Sequence, residues 1–250
     1  MGELARWSVE AVNLPEHAGN PIHTDVGARA AGFPAALVAG VTVYAYLTHA
    51  PAEAWGLEWV AGGGAEVRFV APVLARERLE VCPASSDGTR DDGPAIGGAL
   101  ASPRRVDGVV DGEVRARSAF SRRAPVIPDE DGEDLRPDRV EIDESFLDYG
   151  QRAGDDGGLY AAHGIAHPVA WPMLANRVFH RQLVTGAWIH VHSLIAHHRT
   201  VSIGETVDIS TRVLERFDSR AGPRARADVR IAAGGRPVAT VRHEAVIEAR

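Results

Sequence analysis

The sequence predicts two α+β halves related by internal duplication. Three observations carry this: a proline- and acid-rich break in mid-chain, a helical run followed by strand-like segments on each side of it, and a near-constant offset between equivalent features. The break is RRAPVIPDEDGEDLRPD, Arg122 to Asp138, where three prolines and a cluster of acids leave no apolar period. It divides the chain into residues 1–122, a linker 123–138, and residues 139–250, each half the size of a small domain.

In the first half, the small and apolar residues from Ala28 to Tyr46 predict a helix. Strands are predicted at Ala65–Val70, Arg78–Val81 and Gly112–Phe120. The second half repeats the order: a helical run Val169–Leu183, then strands Trp188–Ile195, Thr206–Leu214, Arg226–Ile231 and Val238–Ile247. In the last of these, Val241, His243, Ala245 and Ile247 fall on one face at period two, as a half-buried strand requires. The offsets between halves run from 126 to 137 residues: Val114–Phe120 answers Thr240–Val246, and Ala18 answers Asp155.

Composition narrows the chemistry. The chain has 250 residues, 45% hydrophobic and 24% charged, with a net charge of −7, which suits a soluble globular protein. All 27 basic residues are arginine. With no lysine, Schiff-base chemistry and a Walker A loop are excluded. The acidic balance argues against nucleic acid as a partner. The single Cys82 allows neither an intrachain disulfide nor a cysteine-rich metal site. The longest apolar stretch, Ala35–Leu47, is 13 residues, short of the roughly 20 that span a bilayer, and Met1–Glu10 has no apolar core of a signal peptide. A cytoplasmic protein without a membrane partner is expected.

The chemistry-bearing stretch is EHAGNPIHTD, Glu16 to Asp25, followed by AGFPAALVAG up to Gly40 and by FVAPV at Phe69–Val73. This arrangement resembles the MaoC-like, (R)-specific enoyl-thioester hydratase/dehydratase family of the hotdog fold, whose signature reads G-D-x-N-P-L/I-H, then A-G-F/L, then P-I-x-H-G-M. The matching residues are Asn20, Pro21, Ile22, His23, Ala31, Gly32, Phe33 and Gly40. The resemblance implies a double hotdog, in which two antiparallel sheets each wrap a central helix and pack as a pseudo-dimer. It implies interconversion of 2-enoyl and 3-hydroxyacyl thioesters on coenzyme A or acyl carrier protein. His23 would be the acid/base, Gly40 N–H the donor to the thioester oxygen, and Asn20 the residue that orients the loop. No redox cofactor or metal is required, and further homodimerisation is left open.

Two departures stand out. The signature aspartate is Ala18, and the histidine before the helix glycine is Ala39. Glu16, His17, Asp25 or the other half must then supply the second group. The second half keeps the opposite part: Gly154 and Asp155 stand at G-D, while Tyr160 replaces the histidine and Pro172 the glycine, removing the N–H. There His163 or His167 could partner Asp155. Alternatives are therefore a degenerate or partner-dependent acyl-thioester-binding protein, or a thioesterase on the same fold, and aromatic side chains such as Tyr44, Tyr46 or Trp171 could fill the groove. HVHSLIAHH, His190 to His198, carries a metal alternative with His190 and His192 on one strand face. The arginines of Arg122–Pro125 and Pro223–Arg230 could bind coenzyme A phosphates, or be solvated charges.

Overall fold

The computed structural model describes residues 2–84, 97–155 and 157–249. Among the described residues, eleven strands form one continuous sheet. The first half supplies β1 (Trp7–Glu10), β2 (Gly64–Phe69), β3 (Arg78–Pro83), β4 (Arg104–Val110) and β5 (Glu113–Ser121). The linker and second half supply β6 (Glu133–Asp134), β7 (Asp138–Glu141), β8 (Ile189–His197), β9 (Thr206–Ser219), β10 (Gly222–Ala233) and β11 (Arg236–Val246). The spatial order is β1-β3-β4-β5-β2-β8-β11-β10-β9-β6, with β7 also on β9, so the halves repeat the same order about the β2–β8 seam. That seam pairs Gly64–Arg68 antiparallel with Ala196–His192. The two expected sheets are thus fused edge to edge, which removes two open strand edges.

Alternation in the strands places the core. Ala65 and Val67 in β2, Leu79 and Val81 in β3, and Val241 and His243 in β11 all point to the buried side. Strands β1, β4, β6 and β7 lie outside the predicted set, the last two being short segments in and just after the acid-rich break. β1 is only four residues long, and β4 (RRVDGVV) carries charge and a glycine where strand propensity is low.

The predicted Ala28–Tyr46 helix is two elements. A short helix α1 (Asp25–Ala30) stops at Gly32, whose φ of +85° suits glycine, and Pro34 follows in an extended connection. The central helix α2 then runs Gly40–Gly62, longer than expected. Val41 to Thr48 are buried without interruption, so the first part of α2 is enclosed on all sides; beyond it Glu53 and Glu58 are exposed and Gly56 (φ +56°) breaks the helix. It packs on β4, β5, β2 and β8. Against it lie three short helices of the second half, α3 (Glu144–Leu147), α4 (Tyr149–Arg152) and α5 (Leu159–His163). The second long helix, α6 (Ala170–Gln182), is amphipathic: Ala170, Trp171, Leu174, Ala175, Val178 and Phe179 face β8 and β11.

Residues 123–138 are not a bare linker. Glu133 and Asp134 pair with β9, while Asp129, Glu130, Glu133 and Asp134 form ion pairs with Arg212, Arg216, Arg230 and Arg242. The acids that remove any apolar period from this stretch strap it across the outer face of the second half. Among the described residues, no helix is long and apolar enough to cross a membrane.

Candidate functional site

A cavity of about 570 Å³ opens where the first half's signature loop meets α2 and the start of β8. Asn20, His23 and Gly40 all line it, together with Glu16 and His17. Its walls are apolar, from Val38, Val43, Phe69, Val73 and Leu174, and α6 places Arg177, His180 and Arg181 along one side. Tyr44, Tyr46 and Trp171 are buried in the core instead of filling this space.

The loop is held by its own backbone. Pro21–His23 forms one turn of 3-10 helix, started by the proline's fixed φ. Leu37 N–H donates to Ile22 C=O at 2.9 Å, and Val38 N–H to Val73 C=O at 2.8 Å, so the loop, the extended connection and the segment after β2 are tied together. Asn20 Nδ2 donates to Trp188 C=O at 2.9 Å, pinning the loop to the second half, while its Oδ1 is buried without a partner.

His23 sits on this turn with Nδ1 2.8 Å from Leu37 C=O. A carbonyl only accepts, so Nδ1 carries the hydrogen and Nε2 has a free lone pair. Burial, only partly offset by the Leu37 hydrogen bond, lowers its pKa, so the ring is neutral at neutral pH. His17 lies beside it, ring centroids 6.0 Å apart. Its Nε2 is 2.8 Å from Tyr149 Oη, which is in turn 2.7 Å from Thr42 Oγ1 on α2. Burial and then the neighbouring His23 push the His17 pKa down to about 4.

Gly40 is the first residue of α2. Its N–H has no acceptor within the helix, and Ala39 offers no side-chain cap, so the donor and the positive end of the helix dipole are left to the cavity. A Cβ built on Gly40 would stand 3.2 Å from the Phe69 ring and 3.3 Å from His190 Nδ1. The glycine is what lets these rings close over the helix end.

The other candidate acids do not share this geometry equally. Glu16 lines the cavity but is ion-paired with Arg152 at 2.8 Å. Asp25 accepts Ala36 N–H at 3.0 Å and braces the connection without lining the cavity. Asp155 does not join His23 and Gly40. Its Oδ1 is 2.9 Å from His49 Nδ1 and accepts Gly157 N–H at 3.0 Å, in a separate pocket of about 20 Å³. His49 is nine residues along α2 from Gly40, about 14 Å of helix rise. Burial would raise the Asp155 pKa, but the His49 hydrogen bond and the Gly157 N–H outweigh it and hold the carboxyl below its ordinary value. His167 and Tyr160 lie near Asp155 with ring centroids 4.2 Å apart, and His163 is exposed.

The histidine run disperses. A β-bulge between His190 and His192 breaks the alternation, so the two do not share a face as the sequence suggested. His190 turns inward to Ser193 and His192 binds Glu66, while His197 meets Trp59 C=O and His198 meets Thr240. Among the described residues no group of three or more His, Cys, Asp or Glu side chains is placed to hold a metal ion. Of the arginines proposed for phosphates, four are ion-paired: Arg122 with Glu58, Arg224 with Glu244, Arg226 with Glu215 and Arg230 with Asp129.

No protein-family description and no curated protein matches the chain as a sequence. Solved structures do match. A conserved hypothetical protein of Mycobacterium tuberculosis, described as having a double hotdog fold, aligns with TM-score 0.66 at 13% identity, covering 98% of this chain and 96% of that one. A candidate MaoC domain dehydratase of Chloroflexus aurantiacus aligns with TM-score 0.64 at 13% identity, covering 100% and 96%. A candidate oleoyl thioesterase of Lactobacillus plantarum aligns with TM-score 0.55 at 10% identity, covering 100% and 98%. The likeness at these identities is one of fold, and the fold is a double hotdog.

Proposed function

We propose that the chain binds an acyl thioester in this cavity and interconverts 2-enoyl and 3-hydroxyacyl forms, carried on coenzyme A or an acyl carrier protein. The observation that carries the reading is the presence, in one cavity, of an unprotonated His23 Nε2 and the open N–H of Gly40. In the hydration direction Nε2 takes a proton from water as the oxygen bonds to C3. Electron density moves onto the thioester oxygen, where a helix N-terminal N–H stabilises it. The proton taken from water is the one that C2 needs, so the net change calls for no cofactor.

His17 takes the place of the missing carboxylate. It is the residue next to Ala18, faces the same cavity, and is 6.0 Å from His23 between ring centroids, a separation one water can bridge. Its link to Tyr149 and Thr42 fixes the ring. A cytoplasmic place goes with such a substrate. Hydrolysis of the thioester is the second reading. It is supported by the likeness of fold to the candidate oleoyl thioesterase, and would use the same two groups on water directed at the carbonyl carbon.

The test is incubation with short and long trans-2-enoyl-coenzyme A, following enoyl absorbance and free thiol together. Loss of absorbance without thiol, abolished in His23→Ala, is the expected result. Thiol release at the same rate would turn the reading to hydrolysis. Tight binding without either change would make this a thioester-binding protein.

A further inference from the structure

We propose that His190 is a second hydrogen-bond donor to the ligand's carbonyl oxygen, forming with Gly40 N–H a two-point grip. This rests on the acyl-thioester reading above. His190 comes from the second half, at the bulge in β8, yet lines the first half's cavity. It is 5% exposed, and its ring packs on Phe69 and on His243 with centroids 4.7 and 4.2 Å apart. Nε2 lies 2.8 Å from Ser193 Oγ, which lies 2.9 Å from His243 Nδ1. Nδ1 has no partner, and it is 3.3 Å from where a Cβ on Gly40 would stand. A buried polar chain therefore ends, with an unused nitrogen, beside the open helix terminus.

Burial, then the neighbouring His243 and His192, holds the His190 pKa well below its ordinary value, and burial lowers that of His243 to about 3, so both rings are neutral. Two hydrogen arrangements are then possible. In one, His190 Nε2–H donates to Ser193 and Ser193 O–H to His243, which strands His243 Nε2–H in the core without an acceptor. In the other, His243 Nδ1–H donates to Ser193, Ser193 O–H donates to His190 Nε2, and His190 Nδ1–H faces the ligand. A stranded N–H is costlier and rarer than a stranded lone pair. A ligand oxygen satisfies the donor in the second arrangement, whereas nothing reaches it in the first. Binding of an acceptor selects the second.

The probe is 4-dimethylaminocinnamoyl-coenzyme A, whose absorbance moves to the red as its carbonyl is polarised. The wild type is expected to give a clear red shift on binding. His190→Phe, which keeps a ring but no N–H, is expected to lose at least half of it, with kcat/KM on enoyl substrate falling about 100-fold. Ser193→Ala is expected to do the same more weakly, and to separate loss of the chain from any disturbance by the larger ring. In the wild-type complex, ¹⁵N spectra should show His190 protonated at Nδ1. An undiminished red shift in both variants, or a bare Nδ1 in the complex, would overturn the proposal alone. Absence of binding and shift in the wild type would instead sink the acyl-thioester reading on which it rests.

Discussion

The two halves fold alike around the β2–β8 seam but have treated the same corner of the fold in opposite ways. In the first half the long helix begins with Gly40, its N–H open to a cavity of about 570 Å³. In the second, α6 begins at Ala170, whose N–H is already given to His167 C=O at 2.9 Å, Pro172 in its first turn has no N–H to offer, and Asp155 is clamped by His49 and Gly157 in a pocket of about 20 Å³. Set against the signature that the sequence resembles, the first half has the histidine without the acid, and the second has the acid without the histidine or an open helix donor. On the function proposed above, the half-motif serves chemistry only where the helix end also stays open. Elsewhere the surviving residue becomes part of the packing between the halves.

The largest test of that contrast is catalytic. His23→Ala is expected to lower turnover by about 10²- to 10⁴-fold, while Asp155→Asn changes it only a few-fold. Comparable losses from both, measured with an enoyl thioester, would mean that the second corner takes part after all. Stability should rank the two sites the other way. Asp155→Ala removes one member of a largely buried pair and is expected to cost about 2–3 kcal/mol in urea unfolding, against less than about 1 kcal/mol for His23→Ala.

The pH dependence sharpens the comparison. Asp155 has a folded pKa below its ordinary 3.8, so its contribution to stability is full above that value and is lost as pH falls through the folded pKa. Asp155→Asn should therefore flatten the strongly acid limb of stability against pH. His17 behaves differently: with a folded pKa of about 4 against 6.5, only the unfolded chain takes up its proton between those values. Stability should fall as the pH drops from about 6.5 to 4. His17→Gln is expected to reduce that slope and to lower turnover about tenfold. An unchanged slope would show that the ring is not kept neutral by the fold. The smallest expected effect is that of Pro172→Gly, which restores an N–H to α6 but no space beside it; activity should stay within about twofold.

Much of this was legible in the sequence, for physical reasons. Strand alternation and the apolar spacing of α6 are local, and the duplication makes each half a check on the other. The break after Ala30 was harder to read, because small apolar residues fit both a helix and a buried extended segment; Gly32 and Pro34 were the available signals. NPIH located the cavity loop, and His17 stood next to the missing aspartate. His190 as a cavity residue could not be read. Its place depends on strand pairing between residues more than 120 apart and on a bulge that reverses the expected face. Asp155 stayed open in the sequence because a glycine-flanked aspartate looks the same whether it faces a substrate or a neighbouring histidine.

The seam has a consequence for how the molecule behaves on dilution. His190 and the Asn20–Trp188 contact bring the second half to the first half's cavity, and both halves belong to one chain. Meeting of the halves is then a first-order event at an effective concentration in the millimolar range. The cavity should stay assembled at any protein concentration at which the chain is folded, and specific activity should not decline as the protein is diluted.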